Sequence, residues 1–334
     1  MTSPNPSDTR ITPDAETILA VMRSARRAPS IHNTQPWRWA FDGTRLHLHT
    51  DNDRQLLAAD PHGRQQVISC GAMLHHVRTA FAAHGWHTDT VRMPDPDRRD
   101  YLAAVEFRPW PDPPAGIAAR AAAMERRHTD RLPLLEPSGW NDIVHALRKL
   151  ASPHEVELDV LDDSARARLA AVSEQAAAAR RDDDMYQMEL HWWAGHSGDP
   201  EGVPRSALIS DAESARVDVG RAFPSAPHSM RRAELTDHAR LVALSSYGES
   251  VPQWLHTGEA LSAVLLECTA AGLATCAITH VTELPAGRRA IAGLLPHPTV
   301  PQVLIRIGTA PGGDPEPPPT PRRPLTDILT VHHH

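Results

Sequence analysis

"APSIHNTQPWRW", residues 28–39, sets two prolines, an asparagine, a glutamine and two tryptophans directly behind the run "ETILAVMRSARR". That preceding run carries Ile18, Leu19, Met22 and Ala25 on one helical face, so a helix is expected over 14–27. A solvent loop has no use for Trp37 and Trp39, and a core strand does not tolerate Asn33 and Gln35 unpaired. The stretch therefore reads as a wall whose backbone and amide groups face a bound partner. Trp39 is expected in the core.

Outward from this wall, the "DG" turn predicts short strands at Trp37–Phe41 and Arg45–His49. A long helix is expected over 63–84 and a strand over 101–108, before the break "PWPDPPAG" at 109–116. Helices follow near 116–126, 138–151, 163–181 and 184–193. The stretch 195–227 is polar and rich in Gly, Pro and Ser, as expected of a functional cover or a disordered insertion. Beyond it come a helix at 256–271, a strand at 274–278, a helix near 283–293, a strand at 302–307 and the proline-rich "PEPPPTPRRPLTDIL".

An internal repeat runs through this pattern. Gly71, Leu74, Val77 and Gly85 recur as Gly258, Leu261, Val264 and Gly272, each displaced by 187. A pair of arginines follows in each copy, Arg98-Arg99 and Arg288-Arg289, and then an apolar strand. A duplicated α/β unit is expected, with a disordered tail at 1–13, a first half at 14–115 and a second at 116–330 that carries a cover at 195–227.

The 334 residues, with 41% hydrophobic content, suffice for a large core, and the net charge of -7 disfavours a nucleic-acid partner. No apolar run approaches about 20 residues, so no membrane span is expected. The N-terminus has no secretory pattern, and Cys70, Cys268 and Cys276 show no pairing or ligand spacing, as in a cytoplasmic protein. Among 21 histidines no HExxH or CxxC arrangement emerges, and adjacent His75 and His76 point about 100° apart on a helix, so no metal is expected. GxSxG, GxGxxG and P-loop signatures are absent from the sequence.

"APSIHNTQPWRW" resembles the second signature of the nitroreductase superfamily, and "RHTDR" at 127–131 resembles the first, R-x-[ST]-x-[KR]. Here the two stand in reversed order, about ninety residues apart. The first half lacks an RxSxR stretch before its helix, and the second has "LASPHEVELDV" in place of its own NxQPW. Each half keeps what the other lacks. The chain thus resembles the fused, single-chain Acg-like branch, which implies an α+β nitroreductase-like fold in two tandem halves forming an intramolecular pseudo-dimer around one flavin mononucleotide (FMN).

That resemblance implies Arg127 and Arg323, with Arg322, on the flavin phosphate, and Thr129 offering its hydroxyl. It places Arg131 near the N1–C2=O edge, where a cation favours the reduced ring. Pro29, Ser30, Ile31 and Asn33 are expected as the opposite wall. Where the family carries Glu-Gly near flavin N5, this chain has Thr279 and His280. Two readings follow: an FMN-dependent NAD(P)H oxidoreductase acting on a nitroaromatic, a quinone or another small acceptor, or a protein that sequesters FMN under a cover with little turnover. With the family's dimer interface already internal, a monomer is expected.

Overall fold

The computed structural model describes residues 11–195, 201–223, 227–315 and 317–332. Residues 1–10 of the tail expected at 1–13, and parts of the expected cover, 196–200 and 224–226, lie outside the described residues.

The first half runs α1 (Ala15–Ala25), β1 (Trp37–Phe41), β2 (Leu46–Thr50), α2 (Arg64–Ala83), β3 (Trp86–Arg92) and β4 (Tyr101–Pro109). Asp14 caps α1 through a bond from Thr17 N–H, and the apolar stripe Ile18, Val21, Met22 and Ala25 is buried. After α3 (Ile117–Arg126), the second half repeats the plan with α4 (Trp140–Ala151) and β5 (Val156–Leu161). A long excursion follows, through α5 (Asp163–Arg180), α6 (Asp184–Trp193) and α7 (Asp211–Ser214). The plan then resumes with β6 (Arg240–Ser246), α8 (Val251–Ala270), β7 (Ala274–Ile278), α9 (His280–Glu283), α10 (Pro285–Ala292) and β8 (Val300–Gly308). The chain ends with α11 (Leu325–Ile328) and β9 (Leu329–Val331).

The two sheets have one topology. Their orders are β3-β4-β2-β1 and β7-β8-β6-β5, and every one of these pairings is antiparallel. The residues between β1 and β2 form a tight turn bound by Asp42, whereas those between β5 and β6 are the excursion 162–239. The insertion thus sits at one defined hairpin of the duplicated unit. It also adds a layer: α4 and α8 cover one face of the second sheet, and α5, α9 and α10 cover the other.

The halves meet along α2 and α8, and the contact centres on the two repeated glycines. A Cβ at Gly71 would lie 2.1 Å from Leu255 O, and one at Gly258 would lie 2.0 Å from Ile68 O. Only hydrogen fits at either position, so the backbones touch. One turn along, His75 Nδ1 bonds Ser262 Oγ at 2.7 Å, and these two positions are also related by the repeat offset. His76 bonds the same hydroxyl at 2.8 Å. The adjacent histidines therefore share a helix-packing role.

Strands β3, β5, β6 and β9 were not expected from the sequence. β9 pairs parallel with β1, Trp39 opposite Leu329, so the C-terminus completes the first sheet. Likewise α3 follows the sequence break, yet its Ala123 and Met124 pack in the first core beside Ala25 and Ala28. Each exchange carries a segment of the second half onto the first.

Gly71→Ala and Gly258→Ala should each force α2 and α8 apart, at about 1–3 kcal/mol for an overpacked contact. Thermal unfolding should fall by several degrees in both, while Gly312→Ala, with no neighbour within 4 Å, leaves it unchanged. An unchanged midpoint for the first two would show that the helices do not depend on this approach.

Candidate active site

Because α3 packs in the first core, its C-terminus delivers Arg127 against the end of α1. The Arg127 Nη2 donates to Arg27 O at 3.3 Å. From there residues 127–131 run beside β7, with Thr129 bridged to Thr275 and Asp130 N–H donating to Thr275 O at 2.9 Å. Behind them lies a pair the sequence reading passed over, Arg306 and Asp237, both buried. Arg306 donates to Asp237 at 2.6 Å and to Leu132 O at 3.0 Å, and Asp237 accepts Leu134 N–H at 2.9 Å. Arg232 adds bonds to Asp130 and Pro133 O at 2.8 Å. Arg306 is the one charged residue of the buried strand β8, the signal that could have marked it.

The facing wall is residues 29–35. His32, Asn33 and Gln35 all hold positive φ (45°, 56° and 50°), a conformation costly for side chains other than glycine's. Tertiary bonds hold it. Ile31 N–H donates to Ser69 Oγ on α2 at 3.1 Å, and Gln35 N–H donates to Ser30 Oγ at 3.0 Å. The Gln35 amide oxygen accepts Arg323 N–H at 2.9 Å, which clamps the C-terminal segment to the loop. Trp37 and Trp39 are fully buried beneath it in the first core.

Between the walls lie two contiguous chambers that share Pro29, Ser30, His32, Thr129, Arg131 and Ile209. The outer one, about 650 Å³, also meets Asn33, Arg127 and Arg322. The inner one, about 120 Å³, also meets Ile31, Gln65, Cys276, Thr279 and His280. The expected wall, the 127–131 stretch and the Thr279-His280 pair thus converge on one cleft. Of the insertion, segment 203–209 lines the outer chamber and 220–223 the inner one.

Two expected residues sit differently. Arg323 reaches neither chamber, because its guanidinium pairs with Asp51 at 3.2 Å and donates to Gln35 O at 3.0 Å. Asn33 lines the outer chamber, but its amide is committed to Gly202 O at 2.9 Å and Pro321 O at 3.1 Å, so it ties three segments together.

Arginines dominate the outer chamber, and its carboxylates Asp130 and Asp314 both pair with Arg232. Among the described residues, Arg127 and Arg322 have no carboxylate partner; Arg322 donates only to carbonyls of residues 26, 27, 320 and 321. Burial and the neighbouring Arg27 lower the Arg127 pKa to about 10. Burial, then Arg127, Arg27 and Arg26, lower that of Arg322 to about 9. Clustered cations that depress one another are relieved by an anion. Arg131 donates to Ala207 O at 3.0 Å and lies 5.2 Å over the Phe223 ring, both on the insertion. Deeper in, His280 shares a 2.8 Å bond between its Nε2 and Ser173 Oγ, while its Nδ1 has no partner among the described residues.

The fold and cleft define an α+β protein of two duplicated halves with one composite, anion-favouring site. No protein-family model matches the chain. It is 42% identical over 97% of its length to the Mycobacterium tuberculosis protein named "Putative NAD(P)H nitroreductase acg", of which it covers 98%. An uncharacterised protein of the same organism is 44% identical over 92% of this chain and 91% of its own. Among solved structures, an FMN-dependent nitroreductase from Mycobacterium smegmatis in complex with NADPH aligns over 64% of this chain and 98% of its own, at 16% identity and a TM-score of 0.41. The curated relatives alone carry the assignment: the chain belongs to the Acg-type nitroreductase family.

The buried histidines make the fold sensitive to acid. Burial lowers His280 from 6.5 to about 3, with Arg221 adding to the effect, and burial likewise lowers His76 to about 3. Below pH 6.5 the unfolded chain binds protons that the folded chain refuses. Stability is therefore full above pH 6.5 and falls as pH descends towards 3, by about 1.4 kcal/mol per unit for each such group. Urea unfolding should show a clearly lower midpoint at pH 5 than at pH 7.5. Equal midpoints would mean that these imidazoles titrate normally in the fold.

Proposed function

We propose that the chain is an FMN-dependent NAD(P)H oxidoreductase of nitroreductase type, with one flavin held in the cleft between its halves and a small organic molecule as electron acceptor. The observation that carries this reading is the pair Arg127 and Arg322, which line the outer chamber and have no carboxylate partner among the described residues. A phosphate monoester carries close to two negative charges and takes charge-assisted bonds from guanidinium groups. Arg127 and Arg322 would hold that phosphate, and the unpartnered Nε of Arg127 fits the need for a further acceptor. Two relatives bear the name "Putative NAD(P)H nitroreductase", which supplies the reaction class.

When bound, FMN supplies two-electron chemistry between a nicotinamide and the acceptor. This chain's residues do the rest. Thr129 and Arg131 border both chambers, so Arg131 would hold a positive charge beside a bound ring and favour its electron uptake. Pro29, Ser30 and Ile31 form the opposite wall in the rigid conformation set by Ser69. Thr279 and His280 border the inner chamber, where His280 presents a neutral ring. Free, buried thiols agree with a reducing, cytoplasmic compartment, and the fused halves are proposed to work as a monomer.

A second reading, flavin sequestration, is favoured by the insertion. Residues 201–223 lie against the cleft as a cover, held by Arg221 to Glu283 on α9 and to Tyr186 on α6. An inner chamber of about 120 Å³ has room for about a single ring, by comparison with a benzene-binding cavity of about 150 Å³. A cover that must open scales the observed rate by its open fraction.

Anaerobic mixing of the FMN-loaded protein with NADPH separates the readings. As an oxidoreductase it should bleach the flavin absorbance within seconds, and a quinone or nitroaromatic should restore it. Bleaching over many minutes, accelerated by Arg221→Ala or His280→Gly, would establish sequestration instead. No flavin retention at all would overturn both.

A further inference from the structure

The first turn of α2 carries three consecutive polar side chains, Arg64, Gln65 and Gln66, all buried. Two of them are fully committed. Arg64 donates to Gln302 O and Oε1 at 3.0 and 2.9 Å and to Thr282 O at 3.0 Å. Gln66 donates to Asp51 O at 3.0 Å and, more weakly, to Asn52 at 3.4 Å. Gln65 differs. It is 2% exposed, and neither its Oε1 nor its Nε2 has a partner among the described residues. A buried amide left with both polar atoms open is rare in a native fold and points to a ligand.

Gln65 lines the inner chamber together with apolar Ile31, Ile68, Leu261 and Ile278 and polar Ser69, Thr129, Arg131 and His280. Among the described residues no carboxylate lines that chamber. A buried amide there fits a flat ring that offers a hydrogen-bond donor next to an acceptor. In an isoalloxazine only one edge does so. The benzenoid edge carries methyl groups and N5 is a lone acceptor, whereas the pyrimidine edge presents N3–H between two carbonyls. Because a carbonyl lies on either side of N3–H, the amide is satisfied whichever way it is turned.

We infer that Gln65 is a cofactor-binding residue that reads the pyrimidine edge of the flavin, its Oε1 accepting N3–H and its Nε2 donating to the neighbouring carbonyl. The inference rests on the flavin reading above and extends it to a residue outside both signatures. It places Gln65 next to Arg131, which borders the same chamber. The cation meets the C2=O side of the edge, and the amide meets the atom beside it. Gln65 comes from the first half and Arg131 from the second, so the pyrimidine edge is held across the junction. Ser69, one turn further along α2, supports the 29–33 wall through Ile31. A single helix face therefore sets both the wall and the edge contact.

The test measures FMN and N3-methyl-FMN binding to the full-length apoprotein by flavin fluorescence, in the wild type and in Gln65→Met. The variant keeps the length of the side chain and removes both polar atoms. Two neutral hydrogen bonds at stake correspond to roughly 10-fold or more in affinity. The wild type should prefer FMN over N3-methyl-FMN by about that factor. Gln65→Met should weaken FMN by a similar factor and bind the two flavins equally, because the lost contact and the blocked atom are the same interaction. A wild type that binds both flavins equally, or a preference that persists in Gln65→Met, overturns the assignment of Gln65 while leaving the flavin reading intact. A wild type that binds neither flavin overturns both.

Discussion

Two glycines allow the backbones of α2 and α8 to touch, and the geometry of the cleft depends on that contact. Each helix belongs to one copy of the duplicated unit and each supports one wall of the site. Ser69 on α2 pins Ile31, and the strand after α8 carries Thr275, against which residues 129 and 130 run. A side chain larger than hydrogen at either crossing point would move one wall relative to the other. The cofactor chemistry proposed here requires donors placed to within fractions of an ångström, so a backbone contact is a suitable reference.

Exchange of segments between the duplicated halves brings the arginines of the cleft together. α3 crosses into the first core and carries Arg127 to the carbonyl end of α1, while the C-terminal segment crosses to pair with β1 and carries Arg322 to the same place. Four arginines, 26, 27, 127 and 322, are thereby gathered, and only Arg27 has a carboxylate, Glu125, among the described residues. At the place of the 29–35 loop the second half carries only the short turn Ser152–His154 between α4 and β5. Between β5 and β6 it carries the insertion, which packs a third layer on its sheet and reaches over the cleft.

Much of this was legible in the chain. The 187-residue offset marked α2 and α8 because helical contact through glycine leaves a periodic, local trace, and the two signatures marked facing walls because their side chains are chemically distinctive. What could not be read is non-local. β9 pairs with a strand almost three hundred residues away, and β3 has weak alternation because much of it is exposed on an outer sheet face. Arg322 and Arg323 are adjacent and identical in type; only the fold shows that Asp51 claims Arg323 and leaves Arg322 for the cleft. Asn33 looked like a ligand because its amide needs partners, and it finds them in two carbonyls of this chain. Gln65 carried no signal at all, since a glutamine at a helix start is ordinary until its burial is known.

Titration of the apoprotein with FMN tests the composite site most directly, when the binding stoichiometry is read together with Arg127→Ala and Arg126→Ala. Arg126 is exposed at the rim of the chamber, whereas Arg127 is buried at its cation cluster. One flavin per chain is predicted, with affinity reduced about 10–150-fold by Arg127→Ala, the value of a hydrogen bond to a charged group, and little changed by Arg126→Ala. Two flavins per chain, or equal losses at the two arginines, would contradict a single site shared between the halves.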